Sequence, residues 1–234
     1  MSEKIILEVK GSVGTLTLNN PEKLNCMGFE MLEALGQALQ EAASLKEVRV
    51  LLIKGAGERA FSTGADLKEF SSLGKDQAEQ WIRYGNEVFN TLESLPIPTA
   101  AYIRGYAVGG GLELALCCDF RLGTESTILA SPELEHGWLP GWGGMTRLRR
   151  LVGEARAKEV VMLNQKIPAN DALRMGLITK ILENGSEEEK LEAMLEHLAS
   201  LKPGAFALAK RALMDEGRTT RGSDIDFDIL ALQL

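Results

Sequence analysis

Cysteine and histidine are scarce in this 234-residue chain, with three of the first and two of the second. The cysteines are Cys26, Cys117 and Cys118. Their number is odd and two are adjacent within an apolar stretch, so a disulfide framework is not expected. His136 and His197 have no metal-ligand spacing around them, and no metal site is expected. An excess of basic residues is also missing. The formal net charge of −7 argues against nucleic acid or an anionic membrane as partner. No apolar run reaches the ~18 residues of a membrane span. The first residues lack the basic segment and long apolar run of a secretory signal. Together these absences lead to the expectation of a reduced, cytoplasmic protein.

What is present suits one sizeable core: 45% hydrophobic and 25% charged residues, ordinary values for a globular domain. Ile5 to Val9 and Val13 to Leu18 read as a hairpin. Phe29 to Ser44 has the apolar spacing of an amphipathic helix, and Val48 to Lys54 reads as a buried strand. Ala60 to Phe70 is a loop entering a helix, followed by a longer helix from about Gln77 to Leu95. The strand Thr99 to Ile103 runs into a glycine-rich turn and a short apolar helix. Further strands are expected over Phe120 to Gly123, Thr127 to Ala130 and Ile178 to Ile181. The rest is mostly helical, over Thr146 to Leu151, Glu154 to Leu163, Ala169 to Met175, Glu187 to Leu201 and Phe206 to Met214. Strand-strand-helix units recurring through the first half predict an α/β fold with a helical C-terminal layer. The core is expected over residues 1–180 and the helical region over 181–234.

The most informative stretch runs from Ile103 to Asp119, with Gly105 and the triplet Gly109, Gly110 and Gly111. Three glycines let the backbone approach a ligand closely. The helix start that follows presents unpaired N–H groups and a partial positive charge. Glu113 lies in its first turn. The arrangement can stabilise an anion with an acid/base one helical turn away. It is not a dinucleotide fingerprint, because the spacing is not Gly-x-Gly-x-x-Gly and Asp119 lies too close to serve as the ribose acid.

Two further segments complete a pattern. Phe61-Ser62-Thr63-Gly64-Ala65-Asp66-Leu67 resembles the first oxyanion-hole motif of the crotonase (enoyl-CoA hydratase/isomerase) superfamily, and Gly105 to Glu113 resembles the second. Ser131-Pro132-Glu133, followed by Leu139-Pro140-Gly141-Trp142-Gly143-Gly144 and Arg147-Leu148, is similar to the segment bearing that family's second catalytic glutamate. The resemblance covers roughly Ile5 to Met214, and three motifs in the right order are more specific than any lone glycine motif.

The resemblance implies a crotonase-like spiral of β-β-α units, assembled as a homotrimer or a dimer of trimers. It implies an acyl-CoA thioester as substrate, no separate cofactor and a place in fatty acid metabolism. By position, the N–H groups of Ala65 and Gly110 form the oxyanion hole. Glu113 activates water and Glu133 exchanges a proton at the α-carbon. Fixed donors in a dry site stabilise a thioester enolate strongly, and two neighbouring carboxylates push their proton affinities apart. The implied substrate- and CoA-binding set is Lys23, Leu24, Cys26, Gly64, Asp66, Leu67, Lys68, Gly109, Pro132 and Gly141. Cys26 stands where a small alanine is common, and the closing helices read as shortened before Leu234.

Each residue also has a plainer reading. Alone, Glu113 is a first-turn glutamate favoured by the helix dipole, Glu133 is a solvated loop residue, and the glycine triplet is a packing contact. Asp66 suits a helix cap, Cys117 and Cys118 suit a core, and Trp138 and Trp142 suit packing, with one of them a candidate wall of the acyl pocket. Arg147 reads as an anchor between helix and loop. The expected activity is hydration of a 2-enoyl-CoA. Alternatives are an enoyl-CoA isomerase, a decarboxylase or hydrolase of the same superfamily, and a CoA-binding protein with little turnover.

Overall fold

The computed structural model describes residues 3–214. The proposed shortening of the closing helices falls largely on residues 215–234, outside the described part. Four strand pairs lead off the chain: β1 (Ile5–Lys10) with β2 (Val13–Leu18), β3 (Val50–Gly55) with β4 (Ala60–Ser62), β5 (Thr99–Ile103) with β6 (Tyr106–Val108), and β7 (Phe120–Thr124) with β8 (Ile128–Ala130). Helices follow the first three pairs: α1 (Phe29–Ser44), then α2 (Leu67–Ser71) with α3 (Lys75–Ser94), then α4 (Gly110–Leu116). A 3-10 turn at Glu133–His136 leads to α5 (Gly144–Met162). The chain continues through β9 (Ile167–Pro168), α6 (Ala169–Met175), β10 (Lys180–Leu182), α7 (Glu187–Ser200) and α8 (Pro203–Met214).

The spiral shows in how the pairs divide. β1-β2-β3-β5-β7-β10 form one six-stranded sheet, and β4-β6-β8-β9 form a second sheet of four. From the second pair onward, the first strand joins the large sheet and the second joins the small one. Pairing is parallel except for the β1–β2 hairpin and the short β8–β9 contact. Parallel strands need both faces covered, and the continuous apolar run of β3 fits that demand. Leu51 and Ile53 pack into the main core with Leu32, Leu35 and Leu39 of α1 and Phe89 and Leu92 of α3. Val50 and Leu52 point the other way, with Ala100, onto Leu195 and Leu198 of α7.

Four expectations shift. β4 and β6 are strands where a loop and a glycine turn are expected, and β9 is an added strand. Runs of two or three residues are too short to display a period, so their pairing is set by the neighbouring strand. The strand expected over Ile178 to Ile181 starts two residues later, because Leu177 and Ile178 use their N–H groups on the Ala172 carbonyl. The two helices expected either side of Gly153 are present, with α5 broken at Gly153, where φ is 75° and ψ 167°.

Buried polar residues join the layers. Arg121 donates to the carbonyls of Cys118 and Leu177, closing the end of α4. Lys210 of α8, 8% exposed, donates to Asp119 at 2.9 Å. Asp119 also accepts from the N–H and hydroxyl of Thr99. A tight join lies between β4 and α4, where a Cβ on Gly111 would lie 2.1 Å from the Ser62 carbonyl oxygen. Gly111→Ala is therefore expected to destabilise the fold by about 1–3 kcal/mol or more, the usual cost of overpacking, read as a lower urea midpoint. An unchanged midpoint would show that this backbone contact is not required.

Candidate active site

The glycine triplet ends β6 and opens α4, and each member has its own reason to be glycine. Gly109 has φ 55° and ψ −126°, a conformation that side chains strain to adopt. A Cβ on Gly110 would lie 2.4 Å from the Trp142 ring, and Gly111 is crowded by Ser62. The packing reading of the triplet is thus physically present alongside any chemical one.

The two oxyanion-type segments meet backbone to backbone. A Cβ on Gly64, whose φ is 83°, would lie 2.6 Å from the Gly110 nitrogen and 2.8 Å from the Val108 oxygen. Gly64 N–H donates to Ser62 Oγ, and Ser62 Oγ–H donates to the Asn25 carbonyl. Ala65 forms an isolated parallel bridge with Met27, in which Met27 N–H donates to Gly64 and Asp66 N–H donates to Met27. That pattern leaves the Ala65 N–H out. Among the described residues, neither the Ala65 nor the Gly110 N–H has an acceptor.

Glu113 points inward from the first turn of α4 and is 4% exposed. Its Oε1 accepts from the backbone N–H groups of Trp142 and Gly144, both at 2.8 Å. Oε2 has no hydrogen bond among the described residues. Burial pushes the carboxyl up to about 7, and the nearby Glu133 pushes in the same direction, while the two N–H donors and Arg147 resist. Glu133 opens the 3-10 turn after Pro132. Its Oε2 accepts from Ser131 Oγ at 2.7 Å, and its Oε1 is buried with no partner. That bare oxygen faces Gly109, 3.3 Å from where a Cβ would be.

Aromatic rings close one side. Trp142, 3% exposed, stacks edge-on against Trp81 and Phe89 at 5.1 and 5.2 Å. Gly85 leaves room for its indole, since a Cβ there would lie 2.2 Å from Nε1. Trp138 packs edge-on against Phe70 at 4.7 Å.

The remaining residues divide. Leu24 and Asn25 have positive φ, 53° and 56°, and the Leu24 carbonyl accepts from Thr63. The Lys23–Cys26 loop is thereby laid along Thr63 to Asp66. Asp66 caps α2, accepting from the N–H groups of Lys68 and Glu69, and pairs with Lys23 at 3.0 Å. Burial opposes its ionisation, but Lys23 and the capping N–H groups outweigh it and hold the carboxyl below the usual range. Burial, with Asp66 adding to it, pushes the Cys26 thiol up to about 11. Leu67 and Lys68 are exposed, Gly141 is half-buried beside Ile82, and Pro132 precedes the turn of Glu133. Among the described residues no cluster of His, Cys, Asp and Glu could hold a metal ion. That the Trp142 and Gly144 N–H groups hold Glu113 has no mark in residue identity, since both donors are backbone groups. The paired glycines opening α5 without a side-chain cap are only an indirect signal.

A family profile described as enoyl-CoA hydratase/isomerase matches residues 8–232. The chain belongs to that family. Within it, the short-chain-enoyl-CoA hydratase of Clostridium acetobutylicum is 34% identical over 224 residues, 96% of this chain and 84% of that one. The crotonyl-CoA hydratase of Syntrophomonas wolfei is 32% identical over 233 residues, 98% of this chain and 89% of that one. An enoyl-CoA hydratase structure from Bacillus anthracis superposes with a TM-score of 0.93 at 33% identity, covering 99% of this chain and 90% of that one. The crotonase-like α/β spiral is therefore the fold of an enoyl-CoA hydratase/isomerase family member.

The buried carboxyl gives this member a pH signature. Between pH 4.5, the ordinary value, and about 7, the folded chain keeps a proton on Glu113 that the unfolded chain has released. This contribution is complete below pH 4.5 and lost as pH rises through about 7, a change of about 3 kcal/mol. Glu113→Gln is expected to be more stable than wild type above pH 7, with the difference shrinking toward pH 4.5 in urea titrations at several pH values. A difference independent of pH would contradict the raised carboxyl.

Proposed function

We propose that this chain is an enoyl-CoA hydratase that adds water across the double bond of a 2-enoyl-CoA. The observation carrying this reading is the pairing of two carboxylates that each keep one oxygen free of hydrogen bonds. Glu113 Oε2 and Glu133 Oε1 have none among the described residues. The names of the relatives, a short-chain-enoyl-CoA hydratase and a crotonyl-CoA hydratase, support the same reaction and a short acyl group.

In this reading the Ala65 and Gly110 N–H groups receive the thioester oxygen. Glu113, as carboxylate, takes a proton from water while the water oxygen bonds to C3. The electron pair of the double bond moves toward the thioester oxygen as an enolate, which the two N–H groups and the start of α4 stabilise. Glu133, as the acid, gives its proton to C2 and the carbonyl re-forms. The product is a 3-hydroxyacyl-CoA, and a proton passed from Glu113 to Glu133 through solvent resets the pair. An isomerase moves a proton with a single base and has no use for a second, water-holding carboxylate, so the pair favours hydration.

The CoA moiety is assigned to the loop Lys23, Leu24 and Cys26 and to the segment Gly64 to Lys68, with Gly109, Pro132 and Gly141 lining the acyl side. The exposed Lys68 supplies a cation for the nucleotide phosphates. Homo-oligomer formation, as a trimer or a pair of trimers, belongs to the same proposal. Exposed Leu139, Met162 and Leu163, at 60–64% accessibility, support a covered surface. Cytoplasmic location rests on sequence composition alone. No helix among the described residues is long and apolar enough to cross a membrane.

Purified protein is expected to abolish the absorbance of the conjugated thioester of crotonyl-CoA. Glu133→Gln is expected to lower kcat by about 10²–10⁴-fold, the range of general acid–base catalysis, with CoA affinity retained. A wild-type rate at background would sink the hydratase reading; 3-enoyl thioesters, read by the gain of that absorbance, and malonyl-type thioesters, read by release of CO2, then separate isomerase and decarboxylase activity from CoA binding without turnover.

A further inference from the structure

The N–H groups that hold Glu113 belong to alternate peptide units, 141–142 and 143–144. A peptide is planar, so the direction of each N–H is fixed by whatever holds the carbonyl at its opposite end. Asn86 of α3 donates its side-chain amide to the Gly141 carbonyl, the far end of the peptide whose N–H belongs to Trp142. The Gly143 carbonyl, opposite the Gly144 N–H, accepts from Arg147 N–H at 3.1 Å. The peptide between them is held too, since Arg147 Nη1 donates to the Trp142 carbonyl at 2.7 Å. Three consecutive peptide planes are thus gripped on the side away from Glu113.

Arg147 is itself held. It is 5% exposed, and its Nε and Nη2 donate to Glu93 Oε2 at 2.9 and 2.7 Å. Nη2 also donates to Asn90 Oδ1 at 2.7 Å. Asn86, Asn90 and Glu93 recur at helical spacing on one face of α3. Gly143, with φ 91°, admits no side chain, because a Cβ would lie 2.2 Å from Arg147 Nη1. Among the described residues, none of these hydrogen-bonds the free oxygen of either glutamate.

We propose that Asn86, Asn90, Glu93 and Arg147 form a positioning clamp that orients the peptide donors of Glu113 and so governs how readily this carboxylate takes a proton from water. The clamp rests on the reading of Glu113 as the water-activating group. Hydrogen bonds to the charged form of a carboxylate favour that form, and without their anchors the two donors turn away. The charged and titratable groups around Glu113 are Glu133 from the 3-10 turn, Arg147 from α5, Cys117 from its own helix and, behind Arg147, Glu93 from α3. A change at Asn86 alters none of these charges. Arg147→Lys keeps the charge and loses the fork.

The test is a 13C titration of the Glu113 carboxyl in glutamate-labelled full-length protein, its resonance identified by absence from Glu113→Gln. In Asn86→Ala and Arg147→Lys the titration is expected to move upward by about one pH unit. The rising limb of the kcat/KM profile is expected to move with it, and kcat for crotonyl-CoA to fall about tenfold, with KM nearly unchanged. A helix anchor with no bearing on the carboxylate lowers the unfolding midpoint and moves neither titration nor limb. A folded Asn86→Ala protein whose Glu113 titrates as in wild type overturns the clamp, and this variant decides the matter if Arg147→Lys does not fold. The titration needs no turnover. A moved titration in a chain without hydratase activity keeps the clamp and removes the functional reading, and an unmoved one in an active hydratase does the reverse.

Discussion

Everything at this site depends on two backbones touching where side chains would keep them apart. Gly64 after β4 and Gly110 at the start of α4 approach so closely that a Cβ on either one would collide with its surroundings. One residue further into α4, Gly111 lies against the Ser62 carbonyl. The strand pairing enforces the meeting, because β4 and β6 lie side by side in the small sheet and both chains leave that sheet at the same end. The N–H groups of Ala65 and Gly110 are left without acceptors by the same geometry. Buried or half-buried donors without partners cost stability, a cost that the thioester oxygen of the proposed substrate would relieve.

Much of this was legible in the sequence, though unevenly. Long elements such as α1 and β3 show a period or an apolar run that survives in any context. The motif glycines were legible as a set, since three segments in the right order carry more information than any one of them. Their individual reasons were not. Nothing in the sequence separates Gly109, which needs a positive φ, from Gly111, which needs an absent Cβ. The short strands β4, β6 and β9 take their form from neighbours distant in sequence, so no local pattern announces them.

The carboxylates were legible and their environments were not. Glu113 stands out amid apolar neighbours, and Asp66 reads correctly as a cap. That Glu113 binds the Trp142 and Gly144 N–H groups required knowing that the start of α5 lies against the first turn of α4. Trp142 reads as a packing residue, and it is one. It also donates its backbone to a carboxylate, a role independent of its side chain and therefore absent from residue identity. Arg147 reads as an anchor between helix and loop. Its burial and its fork onto α3 follow only from the spiral's third dimension.

The environment of Glu113 is a balance of opposed effects. Burial alone would keep this carboxyl protonated at neutral pH and leave it useless as a base. A full set of donors on both oxygens would lock in the charge and make it too weak a base to take a proton from water. Here one oxygen is held by two N–H groups and the other by none among the described residues. The opposing effects leave the group near neutrality, where it can exist in both forms. Both donors are backbone groups, so apart from proline no substitution at Trp142 or Gly144 removes them. Their aim depends on what holds the other end of each peptide, and those anchors lie on α3, outside the motifs that identify the family, and on Arg147 of α5, inside one of them.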